Sequence, residues 1–254
     1  MQKYGQHFLT SDTVLTQITD AALLLRAENV VEIGPGKGAL TLRLLARGVS
    51  LTAVEIDPEM SAHLQSVLPA AAQLNLITAD FLAFDLARLP AVPTEFVGNL
   101  PYIDAAAILD KVLAWPHFTA AVFMFQKEQA QKICAPAGGA LYGPLSVLAQ
   151  LRAEISRVCD AGRGCFAPPP KVESRVLAFQ KLKTPVFKAQ DWEKTARLVK
   201  NAFLHKRKTL FNSLLLAGYA DEKLAAAFAA LSLDEQVRPE AITPARYAQL
   251  AQHL

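Results

Sequence analysis

Cysteine is scarce in this chain, and the three present, Cys134, Cys159 and Cys165, form neither a CxxC pair nor a set with histidine. A disulfide framework and a metal site are therefore not expected, and the three read as reduced thiols of a cytoplasmic protein. No uninterrupted apolar stretch reaches the roughly eighteen residues of a membrane span. The polar start Gln2-Lys3-Tyr4-Gly5-Gln6 lacks the pattern of an export signal. Internal repeats are absent, as is any low-complexity tract beyond the alanine-rich residues 224–230. No Gly-Lys-Ser/Thr closes a glycine run, which excludes a Walker loop. What remains is a chain of 254 residues, 52% hydrophobic, long enough for one large core and a small second one.

Residues 29–33 read as a short buried strand that runs into Gly34-Pro35-Gly36-Lys37-Gly38, followed by helical spacing over residues 39–47 and a left-handed cap at Gly48. Such a strand, glycine loop and helix lets the backbone pass close to a nucleotide-like ligand. Gly34-x-Gly36-x-x-Ala39 also satisfies the dinucleotide fingerprint, so this loop alone leaves an NAD-dependent oxidoreductase open. Glu32, Gly34, Gly36 and Gly38 together match the Glu-x-Gly-x-Gly-x-Gly pattern of S-adenosylmethionine sites. A carboxylate suits that ligand, which carries a sulfonium and an ammonium group and no pyrophosphate.

A second strand, residues 51–56, ends in Glu55-Ile56-Asp57, where Glu55 can accept hydrogen bonds from both ribose hydroxyls and Ile56 lies beside it. Asp57 before Pro58 reads as a helix N-cap. A third strand, residues 74–78, leads to Asp80 and Phe81, an acceptor for the adenine amine of the cofactor and a flat neighbour for its ring. The fourth, residues 95–98, delivers Asn99 to the same edge, the expected ligand position in an open α/β sheet.

Asn99-Leu100-Pro101-Tyr102 meets the demands of methylating an exocyclic amine. The adenine N6 lone pair is delocalised into the ring. An Asn carboxamide oxygen and a neighbouring backbone carbonyl can accept both N–H bonds and turn that lone pair toward a methyl donor. Pro101 stiffens the loop, and Tyr102 offers a face on which an extruded base can stack.

The ordered series of motifs is similar to the KsgA/RsmA small-subunit ribosomal RNA adenine dimethyltransferases, within the group that includes the Erm resistance methylases. It comprises Gly5-Gln6-His7-Phe8-Leu9, the residues 31–36, Glu55-Ile56-Asp57, Asp80-Phe81, residues 98–102, Gln126-Lys127-Glu128, Tyr142-Gly143 with Leu145-Ser146-Val147, residues 166–174, and residues 205–210. The resemblance runs nearly end to end. It implies a monomeric enzyme that transfers methyl groups from S-adenosylmethionine to the N6 amines of two adjacent adenines near the 3′ end of small-subunit rRNA, in a pre-ribosomal small subunit. It also implies cofactor contacts at His7, Leu9, Gly34, Glu55, Asp80 and Asn99, with Tyr102 as the stacking residue. An Erm-type large-subunit methylase and a ribosome-assembly factor with secondary catalysis are the alternatives. The chain departs from the family pattern at Ile103-Asp104-Ala105, where a polar residue commonly follows the tyrosine. It departs again at Pro144, where arginine is common, and in the short tail Met1-Gln2-Lys3.

The expected architecture is α/β: a seven-stranded Rossmann-like class I methyltransferase sheet in residues 1–180 and a small helical, RNA-contacting domain in residues 181–254. Strands over residues 119–125, 146–158 and 175–180 complete the sheet, the last two as an antiparallel hairpin with the 166–171 loop beside the crevice. Helices are expected over residues 191–204, 205–217, 222–231 and 244–253. Residues 181–254 hold twelve Lys/Arg against seven Asp/Glu, leaving 14 against 16 in the first 180. Lys206, Arg207 and Lys208, with Lys194, Arg197 and Lys200, are the candidate phosphate-facing residues.

Overall fold

The computed structural model describes residues 6–25, 27, 29–68, 72–184 and 191–254. Gly5 of the first motif and the tail Met1-Gln2-Lys3 lie outside the described residues. Two compact units divide the chain: residues 1–130 with 154–181, and residues 131–153 with 182–254.

The first unit is built on a seven-stranded sheet. Its strands are β2 (Asn29–Ile33), β3 (Leu51–Glu55), β4 (Leu74–Thr78), β5 (Thr94–Asn99), β6 (Phe118–Gln126), β7 (Ala153–Ala161) and β9 (Ser174–Lys181), in the order β4-β3-β2-β5-β6-β9-β7. The first five run parallel, and β9 pairs antiparallel with β6. Continuous apolar runs such as Val30-Val31 and Phe123-Met124-Phe125 suit central strands covered on both faces. A separate two-stranded sheet pairs β1 (Phe8–Leu9) with β8 (Phe166–Ala167). Helices α1 (Asp12–Leu25), α2 (Ala39–Ala46), α3 (Pro58–Val67) and α4 (Ala105–Ala114) connect the strands, and α5 (Lys127–Ile133) follows β6. The Asp57 side chain accepts from Glu59 N and Pro58 stands in the first turn, as the sequence predicts.

The expected strand over residues 146–158 is corrected. Residues 144–152 form a helix, α6 (Pro144–Arg152), and only the remainder belongs to β7. Pro144 fills a first-turn position that needs no N–H, and Ser146 Oγ accepts from Gly143 N at 3.1 Å. Val147, Leu148 and Leu151 then share one buried face.

That face belongs to the second unit, which therefore includes residues 131–153 as well as the C-terminal helices. A single cut at Gln180 assigns this segment to the first unit. Helices α7 (Trp192–Ala202), α8 (Leu210–Leu216), α9 (Asp221–Ala230) and α10 (Pro244–His253) surround a core containing Tyr142, Val147, Leu151, Trp192, Val199, Leu210 and Tyr247. The Tyr142 hydroxyl donates to Ile242 O and the Tyr247 hydroxyl to Pro239 O, both at 2.8 Å, so neither buried phenol is left unpaired. With the segment included, the unit carries thirteen Lys/Arg against seven Asp/Glu.

The expected helix over residues 205–217 is also corrected: it starts at Leu210, where the Thr209 side chain caps it by accepting from Asn212 N. Lys206, Arg207 and Lys208 are therefore exposed on a turn instead of a helix face. Among the described residues, no helix is long and apolar enough to cross a membrane.

Candidate active site

At the C-terminal ends of β2, β3 and β5, a cavity of about 630 Å³ is walled by residues 6–10, the glycine loop, Glu55-Ile56 and residues 99–102. The sheet order puts the ends of these three strands side by side, with β2 in the middle. His7, Leu9, Glu32, Gly34, Gly36, Glu55, Ile56, Asn99, Leu100, Pro101 and Tyr102 all stand on this wall.

Glu55 does more than the sequence suggests. Its Oε2 accepts from Gly36 N at 2.8 Å and its Oε1 from Asp57 N at 3.0 Å, so one carboxylate ties the glycine loop to the start of α3. Each oxygen keeps a second lone pair for a ligand hydroxyl. Gly36 has φ of +54°, and a Cβ there would sit 3.0 Å from the Phe8 ring. The loop can therefore pack against the N-terminal segment only with glycine at this position. Glu32 is buried and accepts from the Thr41 hydroxyl at 2.7 Å. Burial pushes its carboxyl up to about 7, with the nearby Glu55 adding to the rise against the Thr41 bond. Burial also raises Glu55, opposed by its backbone hydrogen bonds. Two buried carboxyls on one cavity wall favour a cationic ligand and disfavour a pyrophosphate. The two carboxyls fit a sulfonium nucleoside.

On the same wall, Asn99 Nδ2 donates to the His7 carbonyl at 3.0 Å. A carbonyl can only accept, so this bond fixes the amide orientation and leaves Oδ1 as the acceptor for a ligand. His7 Nδ1 lies 2.9 Å from Pro168 O and carries the proton by the same reasoning. The Tyr102 ring stacks toward the His7 ring, with centroids 6.0 Å apart and planes at 28°. The β1–β8 pairing and the bond from Thr10 N to Cys165 O at 2.8 Å hold the N-terminal segment in this position. Residues 166–168 are thus joined to the N-terminal segment that lines the cavity.

Asp80 and Phe81 are not brought to the wall of this cavity. Asp80 accepts from Leu82 N in its own turn, and Phe81 is buried edge-on against Phe96. Lys111 Nζ donates to the carbonyls of Phe81 and Leu82, both at 2.8 Å, and pins that turn. Phe8, Lys37 and Thr41 were not singled out from sequence for roles here; Lys37 Nζ sits 4.8 Å from the centre of the Phe8 ring. Only the position of Phe8 between His7 and Leu9 signals its part.

Comparison with known proteins agrees with this geometry. Ribosomal RNA small subunit methyltransferase A of Syntrophotalea carbinolica is 39% identical over 253 residues, 99% of this chain and 95% of that protein. The protein of the same name from Gloeobacter violaceus is 39% identical over 263 residues, 100% of this chain and 93% of its own length. Among solved structures, a dimethyladenosine transferase from Plasmodium falciparum has the same fold, with a TM-score of 0.79 at 23% identity over 96% of each chain. The 23S rRNA methyltransferase ErmE has a TM-score of 0.71 at 28% identity, covering 97% of this chain and 99% of its own. The family model described as ribosomal RNA adenine dimethylase matches residues 1–254. With its glycine loop, buried carboxyls and Asn-Leu-Pro-Tyr segment on one cavity wall, the chain belongs to the ribosomal RNA adenine dimethylase family.

Proposed function

We propose that this protein dimethylates the N6 amines of two adjacent adenines near the 3′ end of small-subunit rRNA, with S-adenosylmethionine as the methyl donor. The observation that carries the reading is the Asn99 amide, turned by the His7 carbonyl so that its oxygen is the acceptor left for a ligand in the cavity that Tyr102 also lines. The names of the relatives at 32–39% identity favour the small subunit over the large one.

When bound, S-adenosylmethionine supplies a methyl group on a positively charged sulfur. Glu55 would accept from the ribose hydroxyls, and the glycine loop with His7, Leu9 and Ile56 would hold the rest of the donor. Glu32, held by the Thr41 hydroxyl, would set a buried carboxyl beside the donor in a place shielded from water. Tyr102 holds the extruded adenine by stacking, and Asn99 Oδ1 with a neighbouring backbone carbonyl accepts the two amine hydrogens. The lone pair is then directed at the donor, so positioning supplies the catalysis without a general base. Lys206, Arg207 and Lys208 hold rRNA phosphates in the pre-ribosomal particle. The enzyme acts as a cytoplasmic monomer in this reading.

Purified protein incubated with labelled cofactor and small subunits lacking adenine dimethylation tests this directly. Label confined to two adjacent adenines near the 3′ end of the rRNA is the expected result. No label in small subunits, with label appearing when large-subunit rRNA is supplied in their place, would favour the Erm-type reading instead.

A further inference from the structure

Val30 and Glu95 stand side by side at the N-terminal ends of β2 and β5, the end of the sheet opposite to the one that carries Asn99. A second cavity of about 250 Å³ opens there, walled by Ala22, Leu23, Leu44 and Val49 together with this pair. Glu95 is the one titratable side chain on the wall among the described residues. It is 1% exposed, and its Oε1 has no hydrogen-bond partner. A buried carboxyl oxygen without a donor is costly, and an apolar side chain of similar size would avoid that cost. Methyl transfer makes no use of it.

We propose that this cavity binds a small organic cation, a primary ammonium or guanidinium group on a short apolar stem, with its N–H groups on Glu95 and its stem against Leu44 and Val49. The wall excludes the other ligand classes. An anion would meet a carboxyl, and a metal ion would find one carboxylate and the Ser50 hydroxyl where it needs several more oxygen ligands. A quaternary ammonium brings charge without the N–H that Oε1 lacks. Burial pushes the empty Glu95 up to about 8, so the carboxyl holds its proton at neutral pH. Entry of the cation moves that proton to solvent and leaves a carboxylate–ammonium pair, with charge balanced.

Calorimetry on the full chain with butylammonium and with agmatine, at pH 7 in two buffers of different ionisation enthalpy, tests the site. Saturable binding with close to one proton released per ligand is expected. Tetramethylammonium and butanol should bind at least about tenfold more weakly. Glu95→Gln keeps the shape of the protonated acid; it should weaken amine binding about tenfold or more and abolish proton release, with cofactor affinity and thermal midpoint retained. No binding up to about 10 mM amine (about 2.7 kcal/mol), equal binding by the Gln variant, or equal binding of tetramethylammonium overturns the proposal. Arg26 adjoins Ala27 in sequence and lies outside the described residues. If Arg26→Ala binds amine about tenfold more tightly than the unmodified chain, the chain's own guanidinium competes for Glu95 and the site for an external cation is refuted.

Discussion

The Tyr102 and Ser174 hydroxyls are 2.7 Å apart, and Ser174 is fully buried. The phenol is thereby anchored at its far end while its ring is free to stack. Stacking alone predicts that Tyr102→Phe is harmless; the hydrogen bond changes that. Removing either hydroxyl leaves the other short of a partner, at about 1–3 kcal/mol. Tyr102→Phe and Ser174→Ala should each raise the KM for rRNA roughly tenfold with cofactor affinity unchanged, and the double variant should be little worse than either. Losses that multiply in the double variant would mean that the two act independently.

Asn99→Ala removes the oxygen assigned to the amine, together with the donor to the His7 carbonyl. Single-turnover methyl transfer should fall by about 10²–10³ while cofactor binding changes little. A near-normal rate would exclude the role.

Because Glu55 accepts from Gly36 N and Asp57 N as well as lining the cavity, Glu55→Ala acts on the loop and on the ligand together. Cofactor affinity should drop by roughly a hundredfold, beyond the tenfold of one lost charged hydrogen bond, and the thermal midpoint should fall with it. Weak binding with an unchanged midpoint would confine Glu55 to the ligand.

Glu32 supplies a pH dependence. Its carboxyl sits at about 7 in the folded protein against 4.5 for the free side chain, so the folded state holds the proton more tightly. The stability this contributes is fully present below pH 4.5 and is lost as pH rises through about 7. Glu32→Gln should therefore gain on the unmodified protein by on the order of 3 kcal/mol between those limits, read from denaturant titrations at several pH values. A difference that does not vary with pH would show that Glu32 stays ionised.

Lys206, Arg207 and Lys208 are exposed on the turn before α8. A triple alanine variant should bind rRNA more weakly and flatten the slope of log affinity against log salt by up to about two units. Cofactor affinity should not move. An unchanged slope would leave these residues as solvated surface.

Much of this was legible in the sequence, for local reasons. Residues 29–33 and 74–78 are the observed strands, and Asp57-Pro58 starts α3 as read. Where the reading failed, a cap outweighed an apolar run. Leu145 to Leu151 looks like strand until Pro144 and Ser146 are seen as a helix start, and Thr209 sets a boundary that the basic run obscures. The far partners were not legible. His7 meets Pro168 across 161 residues, and two-residue strands such as β1 and β8 have no periodicity to detect. Asp80 and Phe81 stand in a turn and in the core outside the cavity wall, so their expected contacts with the cofactor ring rest on the sequence alone.

The N-terminal segment, residues 7–10, is joined to the rest of its unit by β1–β8 and a few adjoining hydrogen bonds, and it belongs to no strand of the seven-stranded sheet. Yet His7 orients Asn99 and faces Tyr102, while Phe8 packs against Gly36. Catalytic competence thus depends on a stretch of chain outside the seven-stranded sheet. A proteolytic nick after His7 would spare the buried Leu9 and the sheet, and the product would melt much like the intact protein while lacking the carbonyl that guides its reactive amide. Preparations judged by folding assays alone would pass such material as sound.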